Sequence, residues 1–378
     1  MVKGRHVFLG VSMVLVLVVV AVASGAAGAL GKGLVRLVGI FGQSVALVRG
    51  DYVEDVPVET LEQGALRGLV AQADRGGAWI PAAARDRYAR LEARTLPAFG
   101  LVLGERSSYP FVLEVLPGSP AAAAGVLAGE LVERVGDAVA RAQPLWQTRL
   151  ALAEAESEGR AVRLAVIDPE LRGKRDVELK AATVAVALPT VERRGSVVVV
   201  RVASVDRRAA EWLSGALAGQ ADASGVVVDL RGTALGDRVG AVRVAAAIAG
   251  GSAEVRFGRK GGEPSAVKAE GPARTWRVVV CADATTGGAA EVAALGLKLR
   301  GATVTGGESY GDTGERAAVA ARDGELWLAT SWALGPNGEP LLGAGLKPDE
   351  VVRPRRGGDA VLDRAVELAS AQPVRQAA

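Results

Sequence analysis

The segment from Cys281 to Asp312 constrains the fold more than any other part of the sequence. It begins at the end of a β-branched run, RVVVC, passes through a loop rich in glycine and threonine, and continues as the helix-forming run AAEVAALGLKLR, which ends at Gly301. This order predicts a strand, a loop, a helix and a second strand, as in α/β proteins. The loop Thr286–Ala290 lies where α/β enzymes place a nucleophile, at the carboxyl end of a strand and the start of a helix.

The chain contains one histidine, His6, and one cysteine, Cys281. A Ser-His-Asp triad, Cys-His catalysis and a His/Cys zinc site are therefore excluded outside the N-terminal tail, and a disulfide within the chain is impossible. Cys281 ends an apolar strand and is predicted to be a core residue. If the chain is a hydrolase, it must use carboxylates or a Ser-Lys pair.

The overall charge argues against one class of partner. The 45 basic and 42 acidic residues are intermixed and give a net charge of only +3, which predicts no nucleic-acid binding surface. We expect neither a cofactor nor a metal.

The N-terminal segment is long and apolar. Lys3 and Arg5 precede the uncharged stretch Val7–Gly31, which is longer than the roughly 18 residues expected of a membrane span. The segment predicts a single-pass signal anchor in the cell membrane, with the rest of the protein on the extracytoplasmic, periplasmic side. The alternative is a cleaved signal peptide whose mature chain begins at Ser24.

The middle of the chain carries a second local pattern, PGSPAAAAGVLAGELVERVGD. Ser119 and Pro120 are expected to start a short helix, Gly125 to end it, and Gly129 to form the turn before a strand. This segment resembles the PDZ signature of bacterial proteases.

The PDZ resemblance implies a peptide-binding groove. PDZ domains bind an extended peptide as an added strand. The groove would be lined by Phe99, Gly100, Leu101 and Val102, with the helix 145–159 opposite. Free N–H groups of that loop would hold a C-terminal carboxylate, so the implied partners are polypeptide C-terminal tails.

Four further segments resemble the C-terminal processing peptidases, the tail-specific proteases of family S41. They are DYVEDVPVETLEQGALRGLVAQAD, SGVVVDLRGTALGDRVGAVRVAAAIAGG, LWLATSWALGPNGEP and GEPLLGAGLKPDEVV. The resemblance implies an α/β fold in which a protease-like core of the tail-specific protease type carries an inserted PDZ domain and an N-terminal transmembrane helix. The implied segments are an anchor (1–31), a helical segment (32–95), the PDZ domain (97–185) and the core (186–378).

Members of that family use a Ser-Lys dyad, and this sequence departs from its motifs. The motif around Glu291 places the serine position at Gly288, and the motif from Gly307 places the lysine position at Asp312, or at Thr313 with a shifted gap. In the oxyanion loop, Leu235 replaces the first of two paired glycines and Gly236 keeps the second. These departures predict that catalysis has been lost.

Three functional hypotheses follow. The leading one is a membrane-anchored pseudoprotease that binds polypeptide C-termini as an adaptor, or that regulates an active protease relative. The second is an active serine-type endopeptidase with relocated residues. The third is a structural envelope protein without peptide binding. The relocated candidates are the hydroxyls of Thr286 and Ser309, the amine of Lys298, and the carboxylates of Glu291, Glu308 and Asp312. Glu291 is otherwise expected to serve as a partner of the helix dipole at the N-terminus of its helix.

Overall fold

The computed structural model describes residues 29–141, 143–168, 173–355 and 357–371. The described helices are α1 (Ala29–Asp51), α2 (Val58–Ala73), α3 (Arg85–Glu92), α4 (Pro120–Ala123), α5 (Leu145–Ser157), α6 (Arg207–Ala218), α7 (Arg238–Ala249), α8 (Gly288–Leu299) and α9 (Ala360–Ser370), with single 3₁₀ turns at Ala82–Ala84 and Ala98–Gly100. The described strands are β1 (Ala78–Pro81), β2 (Leu101–Arg106), β3 (Tyr109–Val115), β4 (Leu131–Val135), β5 (Ala138–Val139), β6 (Val162–Asp168), β7 (Gly173–Leu179), β8 (Thr190–Arg194), β9 (Val197–Arg201), β10 (Gly225–Asp229), β11 (Gly251–Arg259), β12 (Gly262–Gly271), β13 (Arg277–Ala282), β14 (Thr303–Gly306), β15 (Glu315–Ala321), β16 (Gly324–Ala333) and β17 (Glu350–Val351).

The central sheet has six strands in the order β17-β14-β13-β10-β9-β8. All neighbours are parallel except β8, which is antiparallel to β9. The three strands β9, β10 and β13 are continuous valine runs because both of their faces are covered. Val226 and Val228 pack on the side of α6, α7 and α8, whereas Val227 and Cys281 pack on the side of α9. The prediction that Cys281 is a core residue is confirmed, because its side chain is fully buried.

Parallel neighbours β10 and β13 bring their carboxyl ends to one edge of this sheet. The loop 230–237 follows β10, and the loop 283–287 follows β13. Loops at the carboxyl ends of adjacent parallel strands form the crevice in which α/β proteins bind ligands. The two segments that the sequence singles out as oxyanion loop and nucleophile loop therefore meet in space.

A second sheet, also of six strands, has the strand order β2-β3-β4-β6-β7, with β5 paired to β4. Helix α5 packs on it through Trp146, Leu150 and Leu152. The predicted local signals are confirmed: the Ser119 hydroxyl caps α4 by accepting from the Ala122 N–H at 3.2 Å, and Gly125 follows the helix with φ +72°.

The third sheet contains β1-β16-β11-β12, with β15 paired to β16. It corrects the expectation that 32–95 is wholly helical, because Ala78–Pro81 is a strand paired with β16. This short strand, AWIP, lacks a run of alternating residues, and its partner lies more than 240 residues away, so no local pattern indicates it.

The chain divides into two compact units, Met1–Gly68 and Leu69–Ala378. In the first unit, the described residues form α1 and the start of α2. The second unit contains all three sheets. The boundaries expected at 95 and 185 stay predictions.

The predicted localisation in the cell membrane needs correction. Over residues 29–371, apart from the gaps given above, no helix has both the length and the apolar character needed to cross a membrane. The single-pass, extracytoplasmic assignment is wrong on that finding. Most of the stretch Val7–Gly31, from which it was inferred, lies outside the described residues.

Candidate functional site

A cavity of about 280 Å³ brings the predicted site residues together. Its walls come from the segment 91–103, from β3, from α5, from the loop 230–237, from Gly288 at the start of α8 and from Asp312. The predicted residues that line it are Leu101, Val102, Leu235, Gly288 and Asp312. The predicted residues Phe99, Gly100 and Gly236 are not part of its wall. The structure therefore joins the expected peptide groove to the expected dyad positions in one cleft.

Gly288, at the nucleophile position, begins α8 with φ +51°. A Cβ atom added there would lie 2.9 Å from the carbonyl oxygen of Ala234. The same carbonyl accepts a hydrogen bond from the N–H of Ala289 at 3.3 Å, and the Gly287 N–H donates to the Thr233 carbonyl at 3.0 Å. The space that a nucleophilic side chain would need is thus occupied by backbone of the neighbouring loop.

Asp312, at the lysine position, is held by a guanidinium. Its Oδ1 atom lies 2.7 Å from Nη2 of Arg316. Arg316 also binds both carboxylate oxygens of Asp74, at 2.8 and 3.0 Å. The hydrogen bonds and charges of the two aspartates raise the pKa of Arg316 although burial, the largest single effect, lowers it. A carboxylate in an ion-pair cluster therefore lies at the position where the sequence predicts the lysine of a Ser-Lys dyad.

Glu291 lies buried behind Asp312. It accepts hydrogen bonds from the Ser309 hydroxyl, from the Gly311 N–H at 2.6 Å and from the Asp312 N–H at 2.8 Å. Burial raises its pKa to about 7, against the effect of these donors. The sequence predicted only an interaction of Glu291 with the helix dipole. Its carboxylate also holds the loop that contains Asp312 through these hydrogen bonds.

The oxyanion loop is occupied from within the protein. The N–H groups of Ala234 and Leu235 both donate to Oε2 of Glu114, each at 2.8 Å. Glu114 lies on β3, is almost wholly buried, and its Oε1 atom has no hydrogen-bond partner. Burial raises its pKa to about 7, although both N–H groups lower it. The carboxyl group of Glu114 thus takes two N–H donors of the predicted oxyanion loop.

Sequence reasoning missed Glu114, although one signal was present. The strand run PFVLEVL carries a single charged residue among apolar ones. A charge within an apolar strand is expected to have a buried polar partner, because burying it alone is costly. The identity of that partner, a loop 120 residues further along the chain, was not available from the pattern.

The loop before β2 corrects the expectation of free N–H groups. The Phe99 N–H donates to the carboxylate of Glu156 on α5. The Gly100 N–H donates to the Pro97 carbonyl at 3.2 Å, and the Leu101 N–H donates to the Ala98 carbonyl. These donors are already used inside the protein, so this loop does not offer them to a carboxylate in this structure.

The outer edge of β2 is the other feature expected of a peptide groove. β2 pairs only with β3, so it is an edge strand. At one end, the Tyr310 hydroxyl accepts from the Glu105 N–H at 2.7 Å and donates to the Glu105 carbonyl at 3.2 Å. The backbone N–H and C=O groups of a strand point to alternate edges from one residue to the next. The groups of Leu103 therefore point to the same edge as those of Glu105. Leu103 lines the cavity.

Comparison with known proteins identifies part of the chain. Residues 196–352 match the model of peptidase family S41. This S41 region contains both loops of the cleft and the positions of Gly288 and Asp312. The resemblance inferred from the sequence is confirmed for this region, whereas the PDZ identity of 97–185 stays a prediction. No curated protein matches the sequence.

Several solved structures are similar to this chain. The chain is similar to the photosystem II D1 C-terminal processing protease, with 19% identity over 87% of this chain and 92% of that chain, and a TM-score of 0.63. Mature CPAF complexed with lactacystin is 10% identical over 76% of this chain and 83% of that one, with a TM-score of 0.42. A lipoprotein from Streptococcus agalactiae is 14% identical over 49% and 70%, with a TM-score of 0.39. The first likeness shows a mixed α/β fold similar to that of a C-terminal processing protease.

The relocated catalytic candidates of the S41 region have other partners. The Thr286 hydroxyl donates to the Leu230 carbonyl at 3.0 Å and is fully buried. The Ser309 hydroxyl donates to Glu291 and accepts from the Leu346 N–H at 2.7 Å. The Lys298 ammonium lies 2.6 Å from Oδ1 of Asp349. The structure does not bring the Thr286–Lys298 pair together as a hydrogen-bonded dyad.

Within the described part of the chain, no three His, Cys, Asp or Glu side chains are grouped so that they could hold a metal ion. Glu308, the remaining carboxylate candidate, lines a separate groove with Arg75 and Glu105.

Proposed function

We propose that this protein is a non-catalytic relative of the S41 peptidases whose cleft binds polypeptide segments without cleaving them. One observation carries the proposal: Gly288 has no hydroxyl, and the Ala234 carbonyl lies 2.9 Å from where its Cβ would be. The Asp74–Arg316–Asp312 cluster and the occupied oxyanion loop support it. A Ser-Lys mechanism needs an attacking oxygen and an amine to accept its proton, and the dyad positions supply neither.

The ligand we propose is the C-terminal tail of a polypeptide, added as a strand to the outer edge of β2. Residues 97–185 would act as a PDZ domain in this step. The support is that β2 is an edge strand and that α5 lines the same cavity as Leu101 and Leu103. Because the loop N–H groups are already bonded, the terminal carboxylate would face the guanidinium of Arg149, which is partly exposed and lines the cavity.

Binding without cleavage suits an adaptor or a regulator. In the first case the cleft would hold a client by its tail. As a regulator, the cleft would bind a tail for an active protease relative. Both roles use the same groove chemistry, and the biological client is set by the sequence of the tail.

The test is a binding assay with a simultaneous mass measurement. The full chain is titrated with labelled ten-residue peptides that end in an apolar residue, as free acids and as C-terminal amides. We expect dissociation constants in the micromolar range, about −8 kcal/mol, weaker binding of the amides, and no change in peptide mass. Arg149→Met should remove the preference for the free acid, and Arg160→Met, an exposed arginine just after α5, is the matched control.

The second candidate, an active serine-type endopeptidase, gives a different result in the same assay. Peptide fragments that disappear in Thr286→Ala or Ser309→Ala would establish relocated catalysis and overturn the proposal. Absence of binding to every peptide would instead favour a purely structural protein.

A further inference from the structure

The net charge of the cleft wall comes from one ion-pair cluster. Asp312, Arg316 and Asp74 form one ion-pair cluster that contains two carboxylates and a single guanidinium. Its formal charge is therefore −1. The side-chain exposure rises from 4% at Asp74 through 17% at Arg316 to 28% at Asp312, so the aspartate in the cavity wall is the exposed member.

The other charged residues of the wall are balanced. Arg94 pairs with Glu156, and Arg149 lies 3.1 Å from Glu92. Each of these pairs has no net charge. The remaining wall is largely apolar and includes Leu91, Leu96, Leu101, Leu103, Leu113 and Leu152. The net negative charge of the wall therefore lies at the ion-pair cluster that contains Asp312.

The fold places Asp312 beside the β2 edge. Tyr310 binds the backbone of Glu105 through its hydroxyl, and Asp312 follows Tyr310 by two residues. Asp312 lines the same cavity as Leu101, Val102 and Leu103 of β2. A strand added along β2 advances about 3.3 Å per residue, so a defined position of a peptide bound there would face Asp312.

We propose that this cleft selects polypeptide segments that carry a lysine or arginine at the position facing Asp312. The inference rests on the proposed function and adds the chemistry of the ligand. An apolar wall that leads to one carboxylate suits a basic side chain, because its hydrocarbon stem packs on leucines while its charged head reaches the acid. A glutamate at the same ligand position would be repelled by the net negative cluster.

The experiment is a lysine walk along a bound peptide. A ten-residue, apolar-ended peptide is synthesised with a single lysine, norleucine or glutamate at each successive position, and its affinity for the full chain is measured by fluorescence anisotropy. At one position we expect lysine to bind about fivefold more tightly than norleucine, as for a partly exposed ion pair, and glutamate to bind more weakly. The preference should shrink at 1 M salt, where the screening length is only about 3 Å.

The residue is tested by Asp312→Asn. The variant should bind the lysine and norleucine peptides equally, while Arg316 keeps both bonds to Asp74. Asp222→Asn is the matched control, because Asp222 pairs with Arg193 on the exposed surface and does not line the cavity. It should retain the full lysine preference.

The outcomes separate this inference from the function on which it rests. Peptides that bind with equal affinity at every lysine position overturn the basic-residue selectivity and leave polypeptide binding intact. A lysine preference that survives Asp312→Asn also overturns it. Failure of all peptides to bind overturns both proposals.

Discussion

Oε2 of Glu114 lies 2.8 Å from the backbone nitrogen of Leu235 and accepts its hydrogen bond. A side chain of β3 thereby reaches the loop at the carboxyl edge of the central sheet. The contact links the edge-strand groove to the predicted oxyanion loop, and it uses the N–H groups of Ala234 and Leu235 that such a loop would offer to an oxyanion.

We predict that stability decreases with rising pH because of Glu114. Burial raises the pKa of this carboxyl from an ordinary value near 4.5 to about 7, so the folded protein holds a proton that the unfolded chain releases. The stabilising contribution is complete below about pH 4.5 and is lost as the pH rises through 7. From pH 5.5 to 8, the unfolding free energy of the native protein should fall relative to Glu114→Gln by about 2 kcal/mol.

The measurement for Glu114 is urea unfolding of both proteins at several pH values. Glu178→Gln, an exposed glutamate of β7 in the same sheet, is the control and should follow the native protein in parallel. Burial also raises the pKa of Glu291 to about 7. Glu291 therefore also makes stability decrease with rising pH, so the Glu114→Gln protein keeps part of the pH dependence of the native protein. Parallel curves for the native and Glu114→Gln proteins would contradict the prediction.

We predict that Gly288→Ala destabilises the protein by about 2 to 3 kcal/mol, from a left-handed backbone strain of about 1 kcal/mol or more and from the close contact with the Ala234 carbonyl. Gly125→Ala provides the control, because Gly125 also has positive φ but has no atom within 4 Å of an added Cβ. The Gly125→Ala variant should be destabilised by the backbone strain alone. Thermal unfolding of both variants would reveal the difference, and equal losses would show that the Ala234 carbonyl moves aside. For the same reason, Gly288→Ser should restore no peptide cleavage.

We predict that Arg316→Met costs about 3 to 5 kcal/mol, because it leaves the buried carboxylate of Asp74 without its counter-charge. Asp312→Asn should cost less, since Asp312 is partly exposed and Arg316 retains Asp74. Chemical denaturation of the two variants checks the order. A milder loss in Arg316→Met than in Asp312→Asn would mean that Asp74 is compensated by other groups.

We predict that Tyr310→Phe loosens the Glu105 end of β2. The change removes one hydroxyl that both accepts from and donates to the backbone of Glu105. The amide of Glu105 should exchange with solvent deuterium faster, and global stability should fall by about 1 kcal/mol. Tyr109→Phe, on the neighbouring strand, is the control for loss of a tyrosine hydroxyl. Unchanged protection at Glu105 would be evidence against the bond.

Local sequence determined much of the architecture. Valine runs specified the strands of the central sheet, because a strand covered on both faces must be apolar throughout. Ser119 and Gly125 specified the ends of α4 through a cap and a positive φ. The absence of a hydroxyl at Gly288 was also readable directly, because it depends on one residue's identity and its place between a strand and a helix.

The tertiary structure alone decided what fills the cleft. Glu114 reaches Leu235 across 121 positions, Arg316 reaches Asp74 across 242, and Glu156 reaches the N–H of Phe99 across 57. Each pairing joins a buried charged side chain to a partner on another element. Periodicity and capping act over a few residues, whereas a buried charge takes whichever partner the packing of distant elements brings within hydrogen-bond distance. The sequence therefore determined which residues stand at the predicted dyad positions, and only the packing decided what surrounds them.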